Sequence, residues 1–309
     1  MAKARGRTRL LFRRYLRWPL EAAGFYLWIG FCAILPVETA SNMGGWLGKT
    51  IGTRTGLSRR AYRNLRVAFP EKDQDELDRI VAGMWESLGR TAAEYAHLRT
   101  ITAAGSGRVE LAGLEHTQPA VEATRPSIFV SGHFANWEVM HIVGARLRPD
   151  CTTIVRDPNN PHILRLLEQR RNVQGGQRVS KGAEAARAAI ATLKHNGLVA
   201  MLVDQRMSDG IAAPFFGHPA LSPPAAAQMA LRFDAALLAA RLERTGPARF
   251  RMTFTPPLDL PREGDRSARV LALTTEINRI LEGWIRERPE EWLWLHRRWP
   301  KDLYRQLGV

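Results

Sequence analysis

Short apolar runs alternate with helical stretches from residue 127 onwards, and this alternation constrains the fold more than any other feature of the sequence. Ser127–Ser131 and residues 198–203 ("LVAMLV") are too short for helices and are typical of strands buried on both faces. Between them, Pro161–Arg171 begins with proline and has the length of a helix. The pattern predicts an α/β fold with a central, largely parallel or mixed sheet flanked by helices.

The same reasoning assigns the other elements. Strands are predicted at residues 151–156, 235–241 and 250–255, and helices at residues 73–98, from 136, at 183–195 and at 266–288. Ser222 and Pro223 are predicted to cap one more helix. At 309 residues, the chain can bury a full core in one large domain or two smaller ones.

Three polar side chains stand where predicted strands end. His133 follows the first strand, Arg156 the second and Asp204, with Gln205 beside it, the third. In a sheet of this type, ligands bind where strands end and helices begin. These residues are therefore predicted to line one assembled site.

The segment "SGHFANWE" contains a histidine and a glutamate five residues apart, His133 and Glu138. On one continuous helix the two would lie about 140° apart and could not meet. If the helix begins near Asn136, the loop can fold back so that the imidazole contacts the carboxylate. The carboxylate would then fix the tautomer, and the other ring nitrogen would act as a general base.

Other readings of this segment stay open. His133 can be a packed structural histidine. Ser131 can be a nucleophile, although no Gly-x-Ser-x-Gly motif is present. His133, Glu138 and His141 can bind a metal, although the His-Glu-x-x-His pattern and a third strong ligand are missing from the sequence. We expect no metal and no cofactor.

The chain carries a net charge of +15, which predicts a polyanionic partner such as nucleic acid, an anionic membrane or a phosphorylated substrate. Residues 1–19 hold seven Lys or Arg and no acid. These cations lie beside an apolar segment, and no recognition motif is present, so nucleic acid is not expected as a partner.

The apolar segment that follows predicts a membrane anchor over residues 20–37. Its core, "LEAAGFYLWIGFCAIL", has 16 residues, or about 24 Å of helix, against about 30 Å for a bilayer core. We expect a helix that dips into the cytoplasmic leaflet or a short tilted span, with a buried core helix as the alternative. No small-residue cleavage site follows it, so a cleaved signal peptide is not expected. The two cysteines, Cys32 and Cys151, imply no disulfide framework.

Several motifs together resemble the lauroyl/myristoyl acyltransferases of lipid A biosynthesis, within the lysophospholipid acyltransferase superfamily. "GHFANWE" resembles the family's His-x4-Asp/Glu block. The other matching segments are "RNLRVAFPE", "IVRDPNNP", "GLVAMLVDQRMSDGIAAPFFG" and "EEWLWLHRRWP". They occur in the family's order over about residues 20–300. Arg206 after Asp204-Gln205, and Pro-Pro at 223–224, depart from the usual pattern.

The resemblance implies an acyltransferase domain over residues 38–309, at the cytoplasmic face of a bacterial inner membrane. The enzyme would move a fatty acyl chain from an acyl carrier protein thioester, or from acyl-coenzyme A, to a hydroxyl of a phosphorylated glycolipid. His133 and Glu138 would be catalytic, without a metal or an acyl-enzyme. Arg156, Asp204, Gln205 and Arg171 would bind substrate. The alternatives are another lipid acceptor, such as a lysophospholipid, or a non-catalytic basic membrane-binding protein.

Overall fold

The computed structural model describes residues 12–171 and 175–309. The helices are α1 Trp18–Ile34, α2 Val37–Leu47, α3 Ser58–Ala68, α4 Gln74–Glu94, α5 Leu98–Thr102, α6 Gln118–Val121, α7 Glu138–Leu147, α8 Pro161–Arg171, α9 Ala183–Lys194, α10 Ala225–Phe233, α11 Arg266–Glu287 and α12 Lys301–Gln306. The strands are β1 Val109–Ala112, β2 Ser127–Ser131, β3 Thr152–Val155, β4 Gln177–Ser180, β5 Leu198–Leu202, β6 Ile211–Phe215, β7 His218–Ser222, β8 Ala236–Gly246 and β9 Arg249–Phe254.

The central sheet has seven strands in the order β1-β9-β8-β2-β5-β3-β4. All neighbours in this sheet are parallel except β8 and β9, which are antiparallel. The predicted largely parallel sheet flanked by helices is thus confirmed. Strands β6 and β7 form a separate hairpin.

Each face of the sheet has its own core, because alternate side chains of a strand point to opposite faces. Phe129 packs on the face covered by α7, together with Val139 and Met140. Val130 packs on the other face, which is covered by α3, α4, α9, α10 and α11. Because β2, β3 and β5 run parallel, they end at one edge, and the loops that follow them share it.

Most predicted elements lie within two or three residues of their observed bounds. β2 and α8 have the predicted bounds, and α7 begins two residues later than predicted. The predicted Ser222 cap is wrong: Ser222 ends β7, and its hydroxyl donates to the Ala220 carbonyl rather than capping α10. β1, β4 and the β6–β7 hairpin were not predicted, since they are short and half exposed.

The predicted anchor corresponds to α1, which packs against the body of the protein on one side. The Trp28 indole donates to the Ala92 carbonyl over 3.1 Å, and the Asn160 amide donates to the Trp18 carbonyl over 2.9 Å. In residues 12–171 and 175–309, no helix is both long and apolar enough to cross a membrane. Residues 1–11, with most of the basic N-terminal segment, lie outside the described residues. Cys32 and Cys151 are buried and free.

Candidate active site

The loop between β2 and α7 places His133 at the edge of the sheet. A side chain at Gly132 would bring a Cβ atom to 2.7 Å from the Phe134 ring and 3.2 Å from Asp204 Oδ2. Glycine is therefore required for the close approach of this loop to the Phe134 ring and to Asp204, which follows β5. The C-terminal segment binds this loop through its backbone: Leu293 N–H donates to the His133 carbonyl, and Phe134 forms a β-bridge with Trp292.

The His133 imidazole is bound on both nitrogens. Nδ1 lies 2.7 Å from Asp204 Oδ1, and Nε2 lies 3.1 Å from the amide nitrogen of Gln205. Because an amide NH₂ can only donate, Nε2 carries the lone pair and Nδ1–H donates to the carboxylate. This tautomer is the one that a general base acting through Nε2 needs.

Asp204 is buried, with 2% of its surface exposed, and all its contacts favour the carboxylate. Oδ2 accepts from the His133 backbone N–H over 2.8 Å and from the Trp292 indole over 2.7 Å. Burial alone would raise the pKa of Asp204. Attraction to His133 and these hydrogen bonds outweigh burial and lower the pKa to about 2. A permanent negative charge thus lies behind the imidazole.

The predicted contact between His133 and Glu138 is wrong. Both Glu138 oxygens bind the Arg171 guanidinium, and the Tyr95 hydroxyl donates to Oε1 over 2.6 Å. Burial would raise the pKa of Glu138, but the charge of Arg171 and these hydrogen bonds lower it. The Glu138 carboxylate therefore faces Tyr95, which directly follows α4, and Arg171 at the end of α8, rather than His133.

A cavity of about 1000 Å³ opens at this edge. His133, Glu138, Arg156, Arg171 and Gln205 all line it, whereas Asp204 lies beneath the imidazole. The cavity therefore brings together the residues that the sequence assigned to one site.

The cavity wall combines apolar residues with cations. Its apolar lining comes from both faces of the sheet and includes Phe129, Ala200 and Met252 on the α7 face and Met201 and Met229 on the other. Such a wall accommodates a hydrocarbon chain beside a polar head group.

Known proteins of similar sequence identify the family of this chain. The family model for bacterial lipid A biosynthesis acyltransferases matches residues 8–301. The chain belongs to this family. It is 26% identical over 269 residues to the lipid A biosynthesis palmitoleoyltransferase of Escherichia coli strain K12, covering 82% of this chain and 83% of that protein. It is also 26% identical over 307 residues to that organism's lipid A biosynthesis lauroyltransferase, covering 94% of each.

The geometry does not favour the two other chemical interpretations of this segment, a serine nucleophile and a metal site. The Ser131 hydroxyl is buried and donates to the Ala240 carbonyl, which does not suit a nucleophile. His141 bonds to Thr153 through Nδ1, and Glu138 is occupied by Arg171. Among residues 12–171 and 175–309, no group of three His, Cys, Asp or Glu side chains is arranged to hold a metal.

Sequence reasoning missed several residues that organise this acyltransferase site. Trp292 is buried, and its indole N–H donates to Asp204. Asn64, in "RNLRVAFPE", donates to the carbonyls of Trp294 and His296 and so holds the C-terminal segment. Tyr95 carried no sequence signal. The co-occurrence of "RNLRVAFPE" and "EEWLWLHRRWP" was the available hint for the first two.

Proposed function

We propose that this acyltransferase moves a fatty acyl chain from a carrier thioester to a hydroxyl of a lipid A precursor. One observation carries the proposal: His133 presents Nε2 to a large, partly apolar cavity while a buried carboxylate binds Nδ1–H. General-base help of this kind is worth about 10²–10⁴-fold in rate. The preferred donor is an acyl carrier protein thioester, with acyl-coenzyme A as the alternative.

In the proposed reaction, the acceptor hydroxyl displaces the Gln205 amide from Nε2 of His133. Nε2 takes the hydroxyl proton while the oxygen attacks the thioester carbonyl. The tetrahedral intermediate collapses, the C–S bond breaks, and the imidazolium returns its proton to the departing thiolate. Asp204 stabilises the imidazolium throughout. The scheme uses no metal and no acyl-enzyme.

The charge of the cavity supports a phosphorylated substrate. Six cations line it without a salt bridge to any acid among the described residues: Arg156, Arg178, Lys181, Arg206, Arg232 and Arg266. The acids that line the described part of the cavity are Glu138 and Asp209, and Glu138 is paired with Arg171. An excess of positive charge in a cleft attracts phosphate-bearing ligands, such as a phosphorylated glycolipid or the phosphopantetheine arm of a donor.

The outer face of α1 supports attachment to the cytoplasmic face of the inner membrane. Leu27 and Ile34 are 75% and 78% exposed, and Leu20 and Phe31 lie on the same face. Trp46 and Ile51, which follow α1 in the chain, are also exposed, and Arg13, Arg14 and Arg17 precede the helix. Exposed apolar residues beside cations are typical of a helix lying in the plane of an anionic membrane surface.

Replacing both Leu27 and Ile34 with glutamate is expected to weaken binding to anionic phospholipid vesicles by at least about tenfold, because two apolar side chains leave the acyl region. Co-sedimentation with vesicles measures the effect. The control is Leu271→Glu, since Leu271 is 41% exposed on α11, away from α1. Equal binding by the double variant and the control would contradict a membrane role for this face.

The function is tested by incubating the purified full chain with lauroyl acyl carrier protein and a phosphorylated lipid A precursor. Mass spectrometry should show the acceptor gaining one acyl chain. His133→Ala should reduce kcat about 10²–10⁴-fold while the thermal unfolding midpoint stays near that of the unmodified chain. Near-normal transfer by a folded His133→Ala variant would overturn the mechanism. Transfer to a lysophospholipid, but not to the lipid A precursor, would mean that the acceptor is a lysophospholipid.

A further inference from the structure

Arg178 on β4 is a cation that lines the cavity and has no acidic partner within residues 12–171 and 175–309. Its register partner on β3 is Thr153, so its side chain lies on the α7 face of the sheet. The Nε atom is buried and has no hydrogen-bond partner in the part of the chain that the structure describes. Among the described residues, the guanidinium makes no hydrogen bond and no salt bridge, and Arg178 lines the cavity.

The acids nearest to Arg178 are already engaged. Both oxygens of Glu138 bind Arg171, and one also accepts from Tyr95. The Asp157 carboxylate accepts from the Ser180 hydroxyl. This part of the cavity therefore contains two guanidinium groups against one buried carboxylate.

A partly buried guanidinium without a salt bridge costs free energy, because it loses water without gaining a counter-charge. Burial and the charge of Arg171 both lower the pKa of Arg178, which shows that the surroundings disfavour its charge. A bound anion would remove this cost by supplying both the missing charge and the missing acceptors. Arg178 is half-buried whereas Arg156 is exposed, so water would screen a bound anion less at Arg178 than at Arg156.

We propose that Arg178 binds a phosphate group of a substrate inside the cavity, which Lys181 also lines. The inference rests on the proposed acyl transfer. A guanidinium presents paired N–H donors that fit phosphate oxygens, which an ammonium group does not match. The phosphate belongs either to the acceptor glycolipid, as a monoester, or to the phosphopantetheine arm of the donor, as a diester.

Kinetics with matched substrate pairs distinguish these sources. The acceptor is used with and without its phosphates, and the donor is either acyl carrier protein or an S-acyl-N-acetylcysteamine, which lacks phosphate. Arg178→Gln should lower kcat/KM about 10–100-fold for the phosphate-bearing member of one pair, as expected for loss of a charged hydrogen bond. For the member without phosphate, kcat/KM of the Arg178→Gln variant should stay within about twofold of that of the unmodified chain. Arg178→Lys should restore only part of the loss.

The matched control is Arg187→Gln, because Arg187 is exposed on α9 and does not line the cavity. An equal loss for both members of each pair, or no loss in any, would overturn the proposal. If the Arg178→Gln variant does not fold, Arg178→Met is used in its place for the same measurements. Removing an unpaired cation should not lower the unfolding midpoint, and a large drop would mean that Arg178 is structural.

Binding of inorganic phosphate, measured by calorimetry on the full chain, separates this inference from the proposed function. Phosphate affinity should fall at least about tenfold in Arg178→Gln and stay unchanged in Arg187→Gln. Failure of acyl transfer by the unmodified chain would overturn the proposed function, while this measurement would still decide the role of Arg178. Phosphate binding that is equal in both variants would contradict that role.

Discussion

Replacing Asp204 with asparagine is expected to lower kcat by about 10²–10⁴-fold with little change in KM. The asparagine side chain is neutral, so it cannot stabilise the imidazolium that forms when His133 takes a proton. If its NH₂ group faces Nδ1, the proton of the neutral ring moves to Nε2, and no base remains in the cavity. Steady-state kinetics with a thioester donor measures the effect.

The control for this experiment is Asp209→Asn, which removes a carboxylate from the rim of the same cavity. In the described structure, Asp209 makes no contact with His133. We therefore expect kcat of the Asp209→Asn variant to stay within about twofold of that of the unmodified chain. If Asp204→Asn kept near-normal kcat, the histidine would be oriented by another group. Thermal unfolding of the variant shows whether it stays folded.

Replacing Glu138 with glutamine is expected to lower the free energy of unfolding by about 3–5 kcal/mol, because it leaves the buried Arg171 without its counter-charge. Arg171 and Glu138 are 9% and 6% exposed at their side chains, so water cannot replace the lost interaction. Denaturant unfolding of the solubilised chain measures the change. An unaffected free energy of unfolding would contradict a structural role for the pair.

A double variant separates the ion pair from general damage to the core. Glu138→Leu combined with Arg171→Leu removes both charges, and we expect it to recover a large part of the stability lost in Glu138→Gln. The pH gives a further check. Since the pKa of Glu138 is lowered in the folded state, its stabilisation is present above the unfolded pKa and is lost as the pH falls through the folded value.

The sequence predicted the residues of the site better than their contacts. His133, Arg156, Asp204 and Gln205 were placed at strand ends, and the structure puts all four at one edge of the sheet. That prediction worked because apolar runs mark buried strands, and parallel strands end at a common edge. Each step depends on residues that are near one another in the chain.

The partner of His133 depended on residues that are far apart in the chain. The spacing of five residues suggested Glu138, but Asp204 lies 71 residues from His133 and occupies Nδ1. Glu138 is drawn away by Arg171, 33 residues further on, and by Tyr95, 43 residues earlier. No local pattern shows which of two carboxylates reaches an imidazole when both can approach it.

The sequence alone determined the alternating architecture, the positions of the polar residues at strand ends and the motifs that mark the family. These are properties of short segments, because burial and backbone geometry act on neighbouring residues. The tertiary structure decided that Asp204 binds His133, that Glu138 pairs with Arg171, and that Arg178 has no salt bridge to any described acid. Electrostatic pairing depends on distance in space, and only the packed sheet and its helices set those distances.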